Sequence, residues 1–409
     1  MRLKLFEAFG VELEYMIVDQ STLRVKPIVD ELLKHELGKI GSDFTNGIIT
    51  WSNELALHVV ELKSTEPEVN FNSLHNGFAD NVRHINKILQ KWNAMLMPTA
   101  AHPFMKPDQE MKLWPHDNNE VYAIYNKIFD CRGHGWTNLQ STHLNLPFGD
   151  DEEFGRLHAA IRLILPILPA LCASSPILEG KVTGLMDTRL KYYKENQQRI
   201  PSIAGQIIPE PIFSQRNYER VIYEQIARDL EPFDHENILD PIWVNSRGAI
   251  ARFDRGAIEI RVMDIQECPA ADMAIQSLVI AALRMLANEE TVTYDEQIEA
   301  SSEILAGIFN DTTTTGMQTE ILSSEYLSFF GLEDFTTAGN IWKHIFEKLA
   351  GTGTPPLSKW EHELTVLFNQ GSLAERITKS LDGDLSETNI AEIYRKLCWC
   401  LEQDKMFIL

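Results

Sequence analysis

Carboxylates and other polar groups that could bind a metal ion or phosphate recur at two-residue spacing in segments that alternate like β-strands. In GVELEYMIVD, Glu12 and Glu14 lie two positions apart and alternate with Val11, Leu13 and Tyr15. Because successive side chains of a strand point to opposite faces, the two carboxylates share one face and the apolar side chains share the other. Such a sheet could form the floor of a cation site. For a single strand of this kind, a solvated outer face is the alternative interpretation.

The same pattern recurs in other segments that are predicted to be strands. They carry Glu259 with Arg261 in IEIRVMD and His143 with Asn145 in STHLNLPF. In SNELALHVVELKS, Glu61 lies on the face opposite Val60 and Leu62, and Glu54 lies seven residues earlier. Exposed faces usually carry Lys and Thr as well, whereas these faces offer almost only groups that can bind a metal ion. The recurrence therefore favours one shared metal site over several unrelated solvated faces.

The ligand types and the net charge together indicate the ion and its partner. Hard oxygen ligands with one imidazole suit Mg²⁺ or Mn²⁺ better than zinc, and several carboxylates imply two or three ions that also bind substrate phosphates. The formal net charge of −22 would repel a polyphosphate unless cations bridged the two. The sequence has no GxxxxGK[ST] and no GxGxxG, which argues against a P-loop or Rossmann nucleotide site.

The composition also narrows the class of protein. An acidic chain without Lys/Arg clusters is not expected to bind nucleic acid. Five cysteines without a CxxC motif are expected to be reduced thiols in a cytoplasmic protein. Glu7 interrupts the apolar start, so no signal peptide is expected. The longest apolar run, RLILPILPALCASSP, is too short to span a bilayer and contains two prolines, so no membrane association is expected.

The predicted elements change from strands to helices near residue 290. We therefore expect a catalytic body at 1–290 and a helical extension at 291–409 packed on the same domain, which is compatible with a homodimer. A turn is expected at 254–256 between two strands, and exposed loops are expected at 310–316 and 350–356. Helices are predicted at 71–96, 151–173 (segmented by its prolines), 270–288, 295–309, 316–330, 338–350, 357–369, 372–381 and 387–403.

Five segments resemble, in order and approximate spacing, motifs of the glutamate–cysteine ligase family, and most closely its second group, the carboxylate–amine ligases. They are GVELEYMIVD, SNELALHVVELKS, STHLNL, ASSPILEGKVTGLMDTR and GAIEIRVMD. The resemblance implies an α+β, glutamine-synthetase/guanido-kinase-like fold, in which a curved, mostly antiparallel sheet forms an open funnel backed by helices. The chain has His143-Leu144-Asn145 where many members of the second group have His-x-His, which leaves the subgroup and the acceptor amine open.

The resemblance also implies a function and a set of site residues. The function is that of an ATP-dependent ligase that joins a carboxylate, expected to be that of glutamate, to an amine through a γ-glutamyl phosphate. Arg261 and Glu259 would be catalytic, Arg261 and Arg247 would contact the nucleotide, and Arg189 and Asn145 would bind substrate. The implied metal ligands are Glu12, Glu14, Glu54, Glu61, His143 and Glu259.

Two alternatives to a ligase remain at this point. One is another phosphoryl-transfer enzyme on the same fold, such as a guanidino kinase or an amidating synthetase. The other is a catalytically silent relative that binds a metabolite or a protein. Phosphoryl transfer mainly requires positioning and neutralised charge, so no nucleophilic Ser or Cys is expected. Asp264 lies on the face opposite Glu259 unless the strand bulges, and we expect it to be a structural hydrogen-bond acceptor.

Overall fold

The computed structural model describes residues 2–350 and 357–409 of the chain. It shows an α+β fold in which an eight-stranded sheet lies at the centre. The strands are β1 Gly10–Asp19, β2 Asp43–Asn46, β3 Ile49–Asn53, β4 Val59–Ser64, β5 Ala94–Met97, β6 Ser141–Pro147, β7 Ile177–Leu178, β8 Lys181–Val182, β9 Ala249–Arg252, β10 Ala257–Asp264, β11 Glu320–Ile321 and β12 Thr336–Thr337.

Helices back this sheet and make up most of the C-terminal region. They are α1 Val29–Leu37, α2 Phe71–Leu89, α3 Pro107–Glu110, α4 Asn119–Phe129, α5 His134–Thr137, α6 Asp151–Ile164, α7 Leu168–Cys172, α8 Thr188–Glu195, α9 Gln215–Tyr218, α10 Glu224–Leu230, α11 Pro241–Val244, α12 Pro269–Ala287, α13 Tyr294–Ile298, α14 Ser302–Thr315, α15 Ser324–Ser328, α16 Ala338–Ala350, α17 Glu361–Gln370, α18 Leu373–Ser380 and α19 Glu387–Gln403.

The central sheet has the order β2-β3-β4-β1-β6-β10-β9, and β5 pairs with the second half of β1. Every pair of neighbouring strands in it is antiparallel. Val11, Leu13 and Tyr15 are fully buried in the core that also contains apolar residues of α2, α6 and α12. This confirms the predicted alternation of β1, because its apolar face packs on helices and its other face is left for polar side chains.

A bulge in β10 changes the face on which the end of this strand lies. The register pairs Ile260 with Leu144 and Met263 with Thr142, so two residues of β10 lie opposite one residue of β6. A bulge of this kind shifts the alternation of side chains by one position. Asp264 consequently pairs with Ser141 and returns to the same face as Glu259.

Several predicted boundaries were wrong, each for a local reason. The helix predicted at 71–96 ends at Leu89, because Asn93 adopts a left-handed conformation (φ 50°) and the chain then enters β5. The predicted loop at 310–316 is instead the last part of α14, where four threonine hydroxyls bond to carbonyls one turn earlier. The helix predicted at 316–330 is replaced by a 3₁₀ turn, β11 and the short α15.

Among the other predictions for the helical region, one was confirmed, one helix proved to be divided in two, and one loop falls mostly outside the described residues. The helix at 151–173 is segmented at its prolines, because α6 ends at Ile164 and a 3₁₀ turn precedes α7. The helix predicted at 295–309 divides where Ser301 caps α14. Most of the loop predicted at 350–356 lies outside the described residues.

Two helical stretches are long and apolar enough to cross a membrane by length and composition. They are Asp151–Cys172 and Pro269–Ala287, and 94% of each apolar window is buried inside the protein. Burial on this scale is what core helices show. Both stretches therefore serve as the helical backing of the sheet.

Candidate active site

The polar face of the central sheet brings together acidic residues from three strands with His143 and Asn145 of a fourth. Glu12 on β1 lies between Lys63 of β4 and His143 of β6, and Glu14 lies opposite Glu61 of β4. Glu259 of β10 pairs with Asn145 of β6. The polar residues that alternate in the sequence therefore lie side by side on one carboxylate-rich face, because the antiparallel registers align them across neighbouring strands.

A cavity of 530 Å³ lies over this face. Helix α4 and the short helix α11 contribute to its walls, and the turn between β9 and β10 lies at one end. Its lining residues are Glu12, Glu14, Asn53, Glu54, Glu61, Lys63, Asn118, Val121, Tyr122, His143, Trp243, Arg252, Arg255, Glu259 and Arg261. Of the predicted metal ligands, all six line this cavity.

His143 joins two groups of carboxylates. Its Nδ1 atom lies 2.8 Å from Glu12 Oε2 and 3.7 Å from Glu259 Oε1, and its Nε2 atom lies 2.9 Å from Ser141 Oγ. Ser141 donates its backbone N–H and its hydroxyl to Glu14 Oε2, at 2.6 and 2.9 Å. The Nδ1 atom therefore faces Glu12 and Glu259, and the Nε2 atom faces the side of Glu14 through Ser141.

Burial makes the charge on these groups unfavourable. It raises the pKa of Glu14 and Glu61, and the neighbouring carboxylates raise them further. It also raises the pKa of Glu54 well above its ordinary value, with Glu61 and Glu14 adding to the effect. Burial lowers the pKa of His143, so its imidazole is neutral at pH 7 and can act as a ligand.

The donor set fits divalent cations. Glu12, His143 and Glu259 offer ligand atoms within 4.8 Å of one another, and so do Glu14, Glu61 and His143. Carboxylates with one neutral imidazole are suitable ligands for Mg²⁺ or Mn²⁺. A neutral imidazole has one lone pair, so His143 can bind an ion in one group while its other nitrogen donates a hydrogen bond in the other. Glu54 belongs to neither group.

Arg261 is the predicted catalytic cation, and it lies in the same cavity. Its Nε atom is 3.2 Å from Glu259 Oε1, and its side chain remains 25% exposed. Its Nη1 atom donates a long hydrogen bond, 3.4 Å, to the backbone oxygen of Asn245. The guanidinium thus stays accessible from the cavity beside the carboxylates. Asn145 donates to Glu12 Oε1 at 3.1 Å and so contacts the metal-competent set rather than the open cavity.

The structure does not bring Arg189 and Arg247 to this cavity. Arg189 is buried and forms an ion pair of 2.5 Å with Asp264. Arg247 binds both carboxylate oxygens of Glu210, at 2.6 and 2.7 Å, and also donates to two backbone carbonyls. Their guanidinium groups therefore already have protein partners, and the roles assigned to them in substrate and nucleotide binding remain predictions.

Asp264 is the structural acceptor that the sequence predicted. It accepts hydrogen bonds from the backbone N–H of Ser174 at 2.8 Å and from the hydroxyl of Ser175 at 3.0 Å, in addition to the Arg189 ion pair. Two parts of the segment ASSPILEGKVTGLMDTR, ASSP and DTR, thus meet at the end of β10.

Sequence reasoning missed several residues of the cavity. Arg252 and Arg255 line it, although Arg247 was the arginine of this region selected from the sequence. Lys63 lies 2.9 Å from Glu61, and Ser52 donates to the same carboxylate at 2.6 Å. Period-two spacing from Glu61 in β4 could have identified Lys63. No local pattern identified Trp243 of α11.

Solved structures with the same fold include ligases. The chain resembles a Francisella tularensis glutamate–cysteine ligase solved in complex with AMP, with TM-score 0.60 and 12% identity over 98% of this chain and 94% of that one. It also resembles a bifunctional glutathione synthetase from Pasteurella multocida, with TM-score 0.62 and 14% identity over 98% of this chain and 53% of that one. These similarities confirm the expected fold, a mostly antiparallel open sheet backed by helices.

The family is shown by sequence. Residues 8–318 match glutamate-cysteine ligase family 2, so the chain belongs to this family. An uncharacterized protein of Archaeoglobus fulgidus is 31% identical over 98% of this chain and 100% of its own length. A Bradyrhizobium sp. (strain ORS 278) protein, provisionally named glutamate–cysteine ligase 2, is 25% identical over 68% of this chain and 62% of its own length. Family and fold together support a carboxylate–amine ligase.

Proposed function

We propose that this protein is an ATP- and Mg²⁺-dependent ligase that joins the γ-carboxylate of glutamate to an amine through an acyl phosphate. The observation that carries the proposal is the cavity in which two carboxylate groups share His143 and lie beside Arg261. Clustered carboxylates of this kind can bind divalent cations, and these cations can in turn bind the phosphate oxygens of a nucleotide. The named relatives and the AMP complex of a protein with the same fold also support this function.

The chemistry of amide formation explains why phosphate is needed. A carboxylate oxygen is a poor leaving group in water, so an amine does not displace it. When the γ-phosphoryl group of ATP is transferred to the carboxylate, ADP leaves and a mixed anhydride forms. The amine nitrogen then attacks the carbonyl carbon, phosphate departs with the electron pair of the C–O bond, and the amine loses a proton. Phosphoryl transfer of this type depends on positioning and charge neutralisation.

The side chains of the cavity can position the substrates and, through bound cations, neutralise the charge on the phosphate oxygens. Bound Mg²⁺ would neutralise charge on phosphate oxygens and orient them. Glu12, Glu14, Glu61, Glu259 and His143 would hold the ions, and Glu54, the sixth predicted ligand, lines the same cavity outside the two groups. The planar guanidinium of Arg261 can donate two parallel hydrogen bonds to phosphoryl oxygens while Glu259 fixes its orientation.

Trapping of the intermediate tests this proposal. Purified protein with ATP, Mg²⁺, glutamate and hydroxylamine should form a hydroxamate, because hydroxylamine attacks an acyl phosphate. Glutamate should be a better donor than aspartate. Arg261→Lys should lose about 99% of the signal, since one ammonium group does not reproduce the two-pronged geometry of the guanidinium.

The alternatives give different results in the same assay. A guanidino kinase would consume ATP and yield no hydroxamate, an amidating synthetase would show turnover that depends on ammonia, and a silent relative would release no ADP. Formation of ADP without hydroxamate from any carboxylate would show that the acyl-phosphate mechanism is wrong. The expected cytoplasmic location is consistent with a need for ATP and reduced cysteines, and it stays part of this proposal.

A further inference from the structure

A second cavity adjoins the candidate active site. It has a volume of 540 Å³ and lies between the end of α10, the segment 231–240 and α11. The side chain of Trp243 lines both this cavity and the acidic cavity over the sheet. Trp243 is 57% exposed, which is unusual for so large an apolar side chain. A molecule bound over the sheet could therefore extend past the indole into the second cavity.

All charged side chains that line the second cavity are acidic. Glu231 and Asp240 are exposed at its surface, and Asp234 lies in its wall. No Lys, Arg or His is among its lining residues in the described chain. This differs from the cavity over the sheet, where Arg252, Arg255, Arg261 and Lys63 accompany the acids.

Asp234 is the feature that points to a ligand. It is only 4% exposed, and among the described residues it forms no ion pair. Its Oδ2 atom accepts a hydrogen bond of 2.6 Å from the backbone N–H of Leu239, whereas its Oδ1 atom has no hydrogen-bond partner. Burying a carboxylate without a compensating cation is costly. A cationic group delivered by a ligand would compensate this charge.

We propose that the second cavity binds the distal, positively charged end of the acceptor amine. The acceptor would then be a diamine, a polyamine or another amine with a second cationic group. Its reacting nitrogen would lie in the cavity over the sheet, its chain would cross Trp243, and its distal ammonium would contact Asp234. The indole would contribute a cation–π interaction, for which Trp is the most favourable side chain. This inference rests on the proposed ligase function, whose acceptor it specifies.

The adenine base of the nucleotide is the competing occupant. It could stack on Trp243 and donate its exocyclic amino group to Asp234. The other polar edge atoms of adenine are acceptors, however, and the charged lining of this cavity offers only acceptors. The α-phosphate, which the ribose links to the base, would also be repelled by Glu231 and Asp240 if it came near them, whereas an ammonium group would be attracted by them. The charges therefore favour the amine.

A matched pair of acceptors tests the proposal. The ratio of kcat/KM for 1,4-diaminobutane to that for butylamine should be at least about tenfold in the native protein, a difference of about 1.4 kcal/mol. In Asp234→Asn the ratio should fall to the statistical value of about two that two equivalent amino groups give. Trp243→Leu should lower it as well, and Trp243→Phe should keep most of it because the aromatic face remains.

Controls separate this role from a structural one. Glu236→Gln changes an exposed carboxylate of the same segment that does not line the cavity, and it should leave the ratio unchanged. The KM for ATP should be the same in Asp234→Asn, Glu236→Gln and the native protein. A native ratio near the statistical value, or a ratio that Asp234→Asn leaves unchanged, would overturn the proposal. An increase of the KM for ATP in Trp243→Leu and Asp234→Asn at a constant ratio would assign the cavity to adenine.

A binding measurement distinguishes failure of this inference from failure of the ligase function. In the absence of ATP, 1,4-diaminobutane should raise the Tm of the native protein more than butylamine does, because a ligand that binds only the folded state stabilises it. The increase should be lost in Asp234→Asn and retained in Glu236→Gln. If it is seen while no amine is ligated, the cavity binds cations and the proposed function is wrong; if it is absent, the cavity does not bind the diamine.

Discussion

The two ends of strand β10 carry similar charged residues in opposite circumstances. Near its start, Glu259 faces a cavity in which carboxylates outnumber cations, and Arg261 remains partly exposed. At its end, Asp264 is fully buried, and Arg189, Ser174 and Ser175 satisfy it. At the end of β10 the charge of the carboxylate is compensated by residues of the protein itself, whereas the cavity keeps an excess of carboxylates that a bound cation could compensate. A structural carboxylate is therefore distinguished from a functional one by its ion-pair and hydrogen-bond partners and not by its residue type.

Removal of divalent cations should have the largest effect. It should affect turnover at the cavity near the start of β10 and leave the Asp264 cluster at its end unchanged. Excess EDTA should reduce ADP formation to background, and Mg²⁺ or Mn²⁺ should restore it, because an acidic cavity without cations repels ATP. The Asp264 cluster contains its own cation, so the chelated protein should remain folded by circular dichroism. Undiminished ADP formation in excess chelator would exclude the metal assignment.

Loss of the Asp264 carboxylate should have the second-largest effect, and this effect should be on stability. Asp264→Ala leaves Arg189 buried without its ion-pair partner, and we expect a loss of about 3–5 kcal/mol in the free energy of unfolding. Urea denaturation measures this loss. Arg189→Met should be destabilising as well, since it leaves Asp264 unpaired. A stable Asp264→Ala variant would mean that this end of β10 is not the structural end, and it would reopen the predicted substrate role of Arg189.

Glu259→Gln should reduce turnover and leave stability nearly unchanged, in contrast to Asp264→Ala. We expect turnover to fall at least about 100-fold, the scale on which removal of one preorganised charge-stabilising group acts, with little change in Tm. Glu12→Gln and Glu61→Gln should behave in the same way, and Glu299→Gln, on the surface, serves as the control. Variants that unfold while their soluble fraction keeps full activity would show that these carboxylates are structural.

The contrast between the two ends of β10 also shows what the sequence could predict. Alternation in β1 and β10 is local, so the acidic floor followed from the spacing of Glu12, Glu14 and Glu259. The bulge that returns Asp264 to the polar face depends on pairing with β6, which lies more than a hundred residues away in the sequence. Local periodicity does not contain such pairing.

Long-range contacts also explain the other differences. Ala94–Met97 continues the apolar pattern of α2 and becomes a strand only because the edge of β1 is available to it. Arg247 and Arg252 are equivalent candidates in the sequence, and it is Glu210, distant along the chain, that takes Arg247 out of the cavity. Trp243 is a functional candidate only because α11 lies between two cavities.

The smallest expected effect concerns pH and the carboxylate that belongs to neither metal-competent group. Burial, with Glu61 and Glu14, raises the pKa of Glu54 well above its ordinary value of 4.5, so the folded chain keeps this proton to higher pH than the unfolded chain does. The metal-free protein therefore loses stability as the pH rises from the unfolded pKa through the folded one. Glu54→Gln removes this loss. Its free energy of unfolding should match that of the native protein near pH 3.5, below both pKa values, and exceed it by at least about 1 kcal/mol at pH 8, since one unit of pKa corresponds to about 1.4 kcal/mol. Saturating Mg²⁺ should reduce the difference, because cations compensate the same charge. A variant that is less stable by a constant amount at every pH would show that Glu54, like Asp264, already has its partners within the fold.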